Sequence, residues 1–222
     1  MQYDYPDLSF FIQSVPIDPN DKSTVELYHD ILNSKLEVIK EMQEQANKMN
    51  SKRFGDFNSV IMLSHPKSTG TLRLRSGDYS EHPAIDPNYL QDPEDVETLL
   101  RGLKFLEKLE NTPTFLSFGM ELMFAAPGCK KEIELGRADN FYRCLARNHG
   151  MTMFHPCCTA KMGANSDKMA VTDHRLRVYK VEGLRVADAS VMPAITSANT
   201  QAPSYMIGEK ASDMIKEDWK LI

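Results

Sequence analysis

The tetrapeptide Asp92-Pro93-Glu94-Asp95 constrains the fold more than any other stretch, because it reads only as the start of a helix. Aspartate is a good N-cap acceptor, proline is tolerated in the first helical turn, and further acids face the positive end of the helix dipole. Leu99, Leu100, Leu103, Phe105, Leu106 and Leu109 then recur at helical spacing, which predicts a helix running to about Leu109 with one apolar stripe. That stripe needs a cover, and strand-like runs precede it. Leu8 to Val15, closed by Pro16, and Ser59 to Ser64 are rich in apolar and β-branched residues. In Thr71-Leu72-Arg73-Leu74-Arg75 the leucines alternate with arginines, predicting a strand with Leu72 and Leu74 buried and the arginines in solvent. Alternation of this kind suits an antiparallel sheet. The expected class is α+β, with an antiparallel sheet and helices packed on one face.

Other segments fill in this frame. Ser23-Thr24-Val25-Glu26 has the capping-box pattern, and Leu27, Ile31, Leu32, Leu36, Ile39 and Met42 follow at helical spacing, predicting one continuous helix from Thr24 to Lys48. Prolines and glycines interrupt the pattern between Thr112 and Gly136. Ala138 to Asn148 reads as a short helix with His149 as a structural neighbour at its C-terminal end. Near the C-terminus, Gly183 marks a turn before a short apolar strand ending at Asp188, and Ser204 to Trp219 reads as a final amphipathic helix.

Composition excludes several classes. No apolar run approaches the roughly 20 residues of a membrane-spanning helix, so a soluble protein without a membrane span is expected. A net charge of −5 with scattered basic residues argues against a nucleic-acid partner. Met1 to Asp7 carries two acids where a signal peptide has a basic start and an apolar core, so no signal peptide is expected here. A longer parent chain with its own leader would leave secretion open. The four cysteines, Cys129, Cys144, Cys157 and Cys158, contain no C-x-x-C pair, and adjacent cysteines lack the spacing of a zinc site, so no metal is expected. A Cys129–Cys144 bridge is geometrically conceivable.

The chemistry points to His155. Proline at 156 pushes the preceding residue into extended geometry, which places this imidazole on a loop or strand end. Histidine there is a candidate general base, since its ordinary pKa suits proton transfer near neutrality. The loop from Ala189 to Pro203 is polar but almost uncharged, which suits a bound cofactor carrying its own charge beside a helix N-terminus.

Four stretches resemble the C-terminal portion of the glucose–methanol–choline (GMC) oxidoreductases, most closely their insect glucose-dehydrogenase-like branch. They are His65-Pro66-Lys67-Ser68-Thr69-Gly70 continuing to Ser76, His155-Pro156-x-x-Thr159-x-x-Met162-Gly163, Leu176 to Ser190, and Asn199-Thr200-Gln201-Ala202-Pro203. The resemblance implies an FAD-dependent enzyme that oxidises the CH–OH group of an alcohol or sugar. His155 would take the hydroxyl proton and Asn199 would hydrogen-bond the same oxygen. It also implies cofactor contacts at Asp188, Ala189, Thr200 and Gln201. It divides the chain into a substrate-binding domain over 1–182 and a returning segment of the FAD-binding domain over 183–222, whose N-terminal dinucleotide-binding part would be a partner supplied elsewhere. Two features depart from the family pattern: Cys158 stands where glycine is usual, and G-x-G-x-x-G does not occur. The rival expectation is a non-catalytic remnant that binds a ligand or partner without holding FAD.

Overall fold

The computed structural model describes residues 5–13, 20–49, 58–122, 124–136 and 138–221. They group into two compact units, one built from Asp7–Ser68 and Leu90–Met153, the other chiefly from Thr69–Tyr89 and the described part of Phe154–Ile222. The architecture is α+β, with its antiparallel strands in two separate pairs.

In the first unit β1 (Leu8–Gln13) pairs antiparallel with β2 (Asn58–Leu63), with Leu8 opposite Leu63 and Phe10 opposite Ile61. The end of the predicted first strand, including Val15 and Pro16, lies outside the described residues. The segment expected as one helix from Thr24 to Lys48 is instead broken into α1 (Lys22–Glu26), a π-helical turn over Leu27–Ile31 and α2 (Leu36–Met49). Asn33, at φ +52°, turns the chain between them, a left-handed conformation in which asparagine commonly ends helices. The break reorients the stripe. Leu27, Ile31 and Leu36 are exposed, while Tyr28, Val38 and Ile39 are buried. The cap of α1 is also not the predicted box, because Asp21 accepts from the N–H groups of Ser23 and Thr24.

Helix α3 (Pro93–Glu110) starts as expected, with the Asp92 carboxylate accepting from the Glu94 N–H at 2.9 Å. It lies close to the β1–β2 ribbon because residue 102 is glycine: a Cβ there would fall 2.9 Å from Ile61 Cγ2 and 3.0 Å from Leu8 Cδ1. After α4 (Pro113–Ser117), a 3₁₀ turn over Pro127–Cys129 leads into α5 (Lys130–Glu134) and then α6 (Ala138–His149). The core joins Leu100 and Leu103 of α3 with Phe141, Tyr142 and Leu145 of α6 and with Ala126 and Cys129. The Cys129–Cys144 disulfide pins the 3₁₀ turn to α6. Outside the apolar contact, Arg143 makes a two-pronged pair with Glu97, and Lys104 reaches Asp139 at 2.9 Å.

Asp95, only 2% exposed, turns inward from the first turn of α3 and holds the His65–Gly70 motif. Its carboxylate accepts from the N–H groups of Lys67 (2.8 Å) and Ser68 (2.9 Å) and from the Ser68 hydroxyl, which itself accepts from the Asp92 N–H.

In the second unit β3 (Thr71–Arg73) pairs antiparallel with β4 (Ala84–Asp86). Gly70 permits the pairing, since a Cβ would fall 2.2 Å from the Asp86 carbonyl oxygen. The expectation that Leu72 and Leu74 are buried fails: they are 47% and 82% exposed, because this two-stranded ribbon is short and every residue of β3 is exposed. Between Met162 and Arg185 the chain is held by isolated bridges, Met162 with Thr172, Thr172 with Val178 and Arg177 with Arg185. The predicted strand after Gly183 is reduced to this bridging contact, with the Val186 N–H bonded to the Leu176 carbonyl. Helix α7 (Gln201–Asp218) closes the unit, burying Ile207 and Ala211 against Leu176, Val191 and Met192.

Candidate active site

The backbone around His155 is set locally. Phe154, at φ +59°, turns the chain into the loop, and Pro156 keeps His155 out of helical geometry. The loop is then fastened to the 3₁₀ turn Ala189–Val191 by three backbone hydrogen bonds. The N–H groups of Cys158, Ala160 and Met162 donate to the carbonyls of Ala189, Ser190 and Val191 at 3.2, 2.9 and 2.8 Å. Cys158 sits at φ +74°, so a side chain occupies a backbone position that favours glycine, at a cost of about 1–2 kcal/mol. Its sulfur is paired with that of Cys157.

The imidazole of His155 is half-buried and meets two side chains from the other end of the unit. Its Nε2 lies 2.7 Å from Nδ2 of Asn199, and its Nδ1 lies 3.1 Å from Oγ1 of Thr200. Asn199 is exposed, whereas Thr200 is only 8% exposed. Both partners are uncharged. With the amide N–H donating to Nε2, the lone pair of that nitrogen faces Asn199, and Nε2 is then an unprotonated acceptor, the state a proton-accepting base requires. The pair thus joins a group able to donate a hydrogen bond to an oxygen with a nitrogen able to accept a proton.

The other residues singled out by sequence are placed differently. Asp188 caps the Ala189–Val191 turn, accepting from the Ser190 N–H at 2.8 Å and the Ser190 hydroxyl at 2.5 Å. Those bonds from Ser190, first through its hydroxyl and then through its backbone, hold the carboxyl below its ordinary pKa, so it stays ionised near neutrality. Ala189 contributes its carbonyl to the fastening of the His155 loop. Gln201, the first residue of α7, is exposed and lines a shallow groove of about 360 Å³ with Ser204, Tyr205, Gly208 and Glu209, on which neither His155 nor Asn199 lies. His149 ends α6 in the first unit, and burial pushes its imidazole below the usual range, toward the neutral form. Among the described residues no group of three or more His, Cys, Asp or Glu is arranged to hold a metal ion, and no helix is long and apolar enough to cross a membrane.

The feature that sequence reasoning missed is the Thr200 hydroxyl on His155. No local sequence signal marks it, since the final helix is expected from Ser204 and the fold begins it three residues earlier, at Gln201. Here the residue does occupy the N-cap position of α7 but makes no side-chain capping bond.

The family model described as GMC oxidoreductase matches residues 66–208. The chain is 40% identical over 171 residues to a glucose dehydrogenase [FAD, quinone] of Drosophila pseudoobscura pseudoobscura, covering 77% of this chain and 27% of that protein. It is also 40% identical over 152 residues to a human mitochondrial choline dehydrogenase, covering 67% of this chain and 24% of the relative. Among solved structures, a fungal aryl-alcohol oxidase superposes with a TM-score of 0.59 at 28% identity, over 82% of this chain and 31% of the oxidase. The chain thus spans about a quarter of the length of the curated relatives it matches.

Proposed function

Because this chain belongs to the GMC oxidoreductase family, we propose that it is the C-terminal portion of an FAD-dependent oxidoreductase acting on the CH–OH group of a small alcohol or sugar. The observation that carries the reading is the contact between His155 and Asn199, two residues 44 positions apart whose polar atoms meet at 2.7 Å on an exposed edge. In the reaction the substrate oxygen replaces this contact. Asn199 donates its N–H to that oxygen and steadies the negative charge that builds there, while Nε2 of His155 takes the hydroxyl proton. FAD, when bound, supplies the acceptor for the hydride that leaves the carbinol carbon, and the product is the carbonyl compound.

The residues present suit a flavin beside this pair. Because Thr200 does not cap α7, the N–H groups of Gln201 and Ala202 at the positive end of an 18-residue helix are not taken up by its side chain. Donors of this kind match the carbonyl-rich, electron-accepting ring of a flavin, and no carboxylate of the described residues is bonded to His155 or Asn199. In this scheme residues 1–182 form the substrate-binding domain and 183–222 return to the cofactor domain. Asp188, Ala189, Thr200 and Gln201 line the cofactor side, and the dinucleotide-binding part is the partner that completes the site. The named activities of the relatives, on glucose and choline, define the classes to test.

The test is to isolate the protein containing this chain, look for the visible absorbance of bound flavin, and follow dye reduction with aldoses, choline and simple primary alcohols. His155→Ala is expected to lower kcat by about 10²–10⁴-fold, and Asn199→Ala by about 10²–10³-fold. A protein that is colourless, stays colourless after incubation with FAD and is inert toward all three classes is the non-catalytic binding remnant, and the proposal is then wrong.

A further inference from the structure

Thr200 is a polar residue with an unusual set of commitments. It is 8% exposed, sits at the N-cap of α7 and declines the capping bond that threonine ordinarily makes there. Its hydroxyl instead lies 3.1 Å from Nδ1 of His155. A hydroxyl that leaves a helix end uncapped in order to reach a histidine breaks a local rule, and such breaks gather at functional sites. The Thr200 N–H also points at the same nitrogen, at 3.5 Å, a long and weak donor contact that favours the opposite tautomer and that the shorter hydroxyl contact must outweigh.

The chemistry of the ring gives this contact a purpose. A neutral imidazole carries one proton, and which nitrogen holds it is fixed by what the other ring nitrogen faces. Asn199 occupies Nε2, where its amide N–H needs an acceptor. Nε2 can accept, and later take a substrate proton, only if the ring proton resides on Nδ1. There, among the described residues, the short side-chain contact is Thr200 Oγ1, which as a hydroxyl oxygen has lone pairs to receive it. We infer that Thr200 is a positioning residue: its Oγ1 accepts the Nδ1 proton of His155, fixing the ring's tautomer and rotation so that the Nε2 lone pair faces Asn199. This role rests on the oxidoreductase reading above for its purpose but not for its measurement, since the tautomer is a property of the chain without flavin or alcohol.

The experiment is nitrogen-15 NMR of the histidine side chains in the 222-residue chain, at a pH high enough to keep the imidazoles neutral. Long-range couplings from the ring carbons assign the proton to Nδ1 or Nε2. The wild-type chain is expected to show His155 mainly as the Nδ1–H form. Thr200→Val, which keeps the shape and removes the oxygen, is expected to shift the ratio toward Nε2–H by about tenfold, the change that one ordinary hydrogen bond supports. Thr200→Ser, which keeps the hydroxyl, is expected to restore the wild-type ratio. A packing role alone would separate valine from serine by stability and leave the tautomer unchanged. If wild-type His155 is mainly Nε2–H, or if the valine variant keeps the Nδ1–H form, the inference is overturned. Should the valine variant fail to fold, the wild-type assignment still decides. A failed tautomer test leaves the dye-reduction result untouched, and an inert, colourless protein leaves the tautomer result standing.

Discussion

The helical unit and the unit carrying His155 are stabilised by different means. In the first, α3 and α6 press aromatic and branched side chains together. Phe124 stacks edge-on to Phe141 and Tyr142 with ring centroids 5.8 and 5.9 Å apart, and a disulfide and ion pairs reinforce the contact. In the second, the buried cluster of Leu176, Val191, Met192, Ile207 and Ala211 contains no aromatic ring. What holds the loops there is backbone hydrogen bonding, with ion pairs Lys161–Asp167 and Arg177–Asp173 and a charged clasp in which Arg175 and Arg185 grip Glu217 and Asp218 at the end of α7. The candidate site therefore sits where the hydrophobic contribution is smaller and the chain is shaped by many individual bonds. Regions of this kind open more readily. Amide exchange is expected to be slower in α3 and α6 than in 183–221. Equal protection would erase the contrast.

The largest effects are expected in the helical unit. Phe141 is 5% exposed, and Phe141→Ala should cost about 3–5 kcal/mol through lost burial and the cavity it leaves. Denaturant unfolding would measure this, and exchange rates in α7 should stay near wild type if the units are as distinct in their packing as their cores suggest. The double variant Cys129→Ala with Cys144→Ala opens a loop of 15 residues, and a destabilisation of about 3 kcal/mol is expected by chain entropy. No change in the unfolding midpoint would mean the apolar packing alone fixes that turn. Next comes Asp95→Ala, which removes a buried acceptor from the partly buried bonds to the Lys67 and Ser68 N–H groups and should cost about 1–3 kcal/mol. Exchange at those two amides is the specific readout, since a loss spread over the whole unit would point to α3 instead.

The two units also differ in how much of them could be read from sequence. The start of α3 was legible because a cap is local: aspartate, proline and two acids state their positions without help from distant residues. The long helix over Thr24–Lys48 was misread because the spacing of Leu27, Ile31, Leu36 and Ile39 is the same whether or not Asn33 turns the chain between them. Leu72 and Leu74 mark a second limit. Alternation tells which residues share a face, but not whether anything covers that face. Asp95 shows a third, since an acid in a first helical turn reads as a dipole partner, and only the fold reveals the loop it holds. At the site, loop geometry for His155 followed from Pro156, but its meeting with Asn199 has no local signal and was reachable only through resemblance. The Thr200 contact has no local signal either, because the final helix is expected from Ser204 and only the fold puts Thr200 at its start.

The smallest effect tests the charged clasp. Burial acts to raise the Asp218 carboxyl, but its hydrogen bond with Arg185 and the charge of Arg175 outweigh it, and the carboxyl is held below its usual range. A carboxylate whose pKa is depressed in the folded state adds stability above its unfolded value, about 3.9 for aspartate, and that contribution fades as pH falls through the folded pKa. Asp218→Asn should therefore speed amide exchange in the last turns of α7 at neutral pH, and the difference from wild type should shrink as the pH drops below about 4. Exposed pairs are weakened by salt, so the neutral-pH difference should also narrow at high ionic strength. If the variant and the wild type exchange alike at neutral pH and low salt, the clasp contributes nothing. The end of α7 would then be held by Ile207, Ala211 and the backbone alone, without the ion-pair support that Arg143 and Lys104 give the α3–α6 contact.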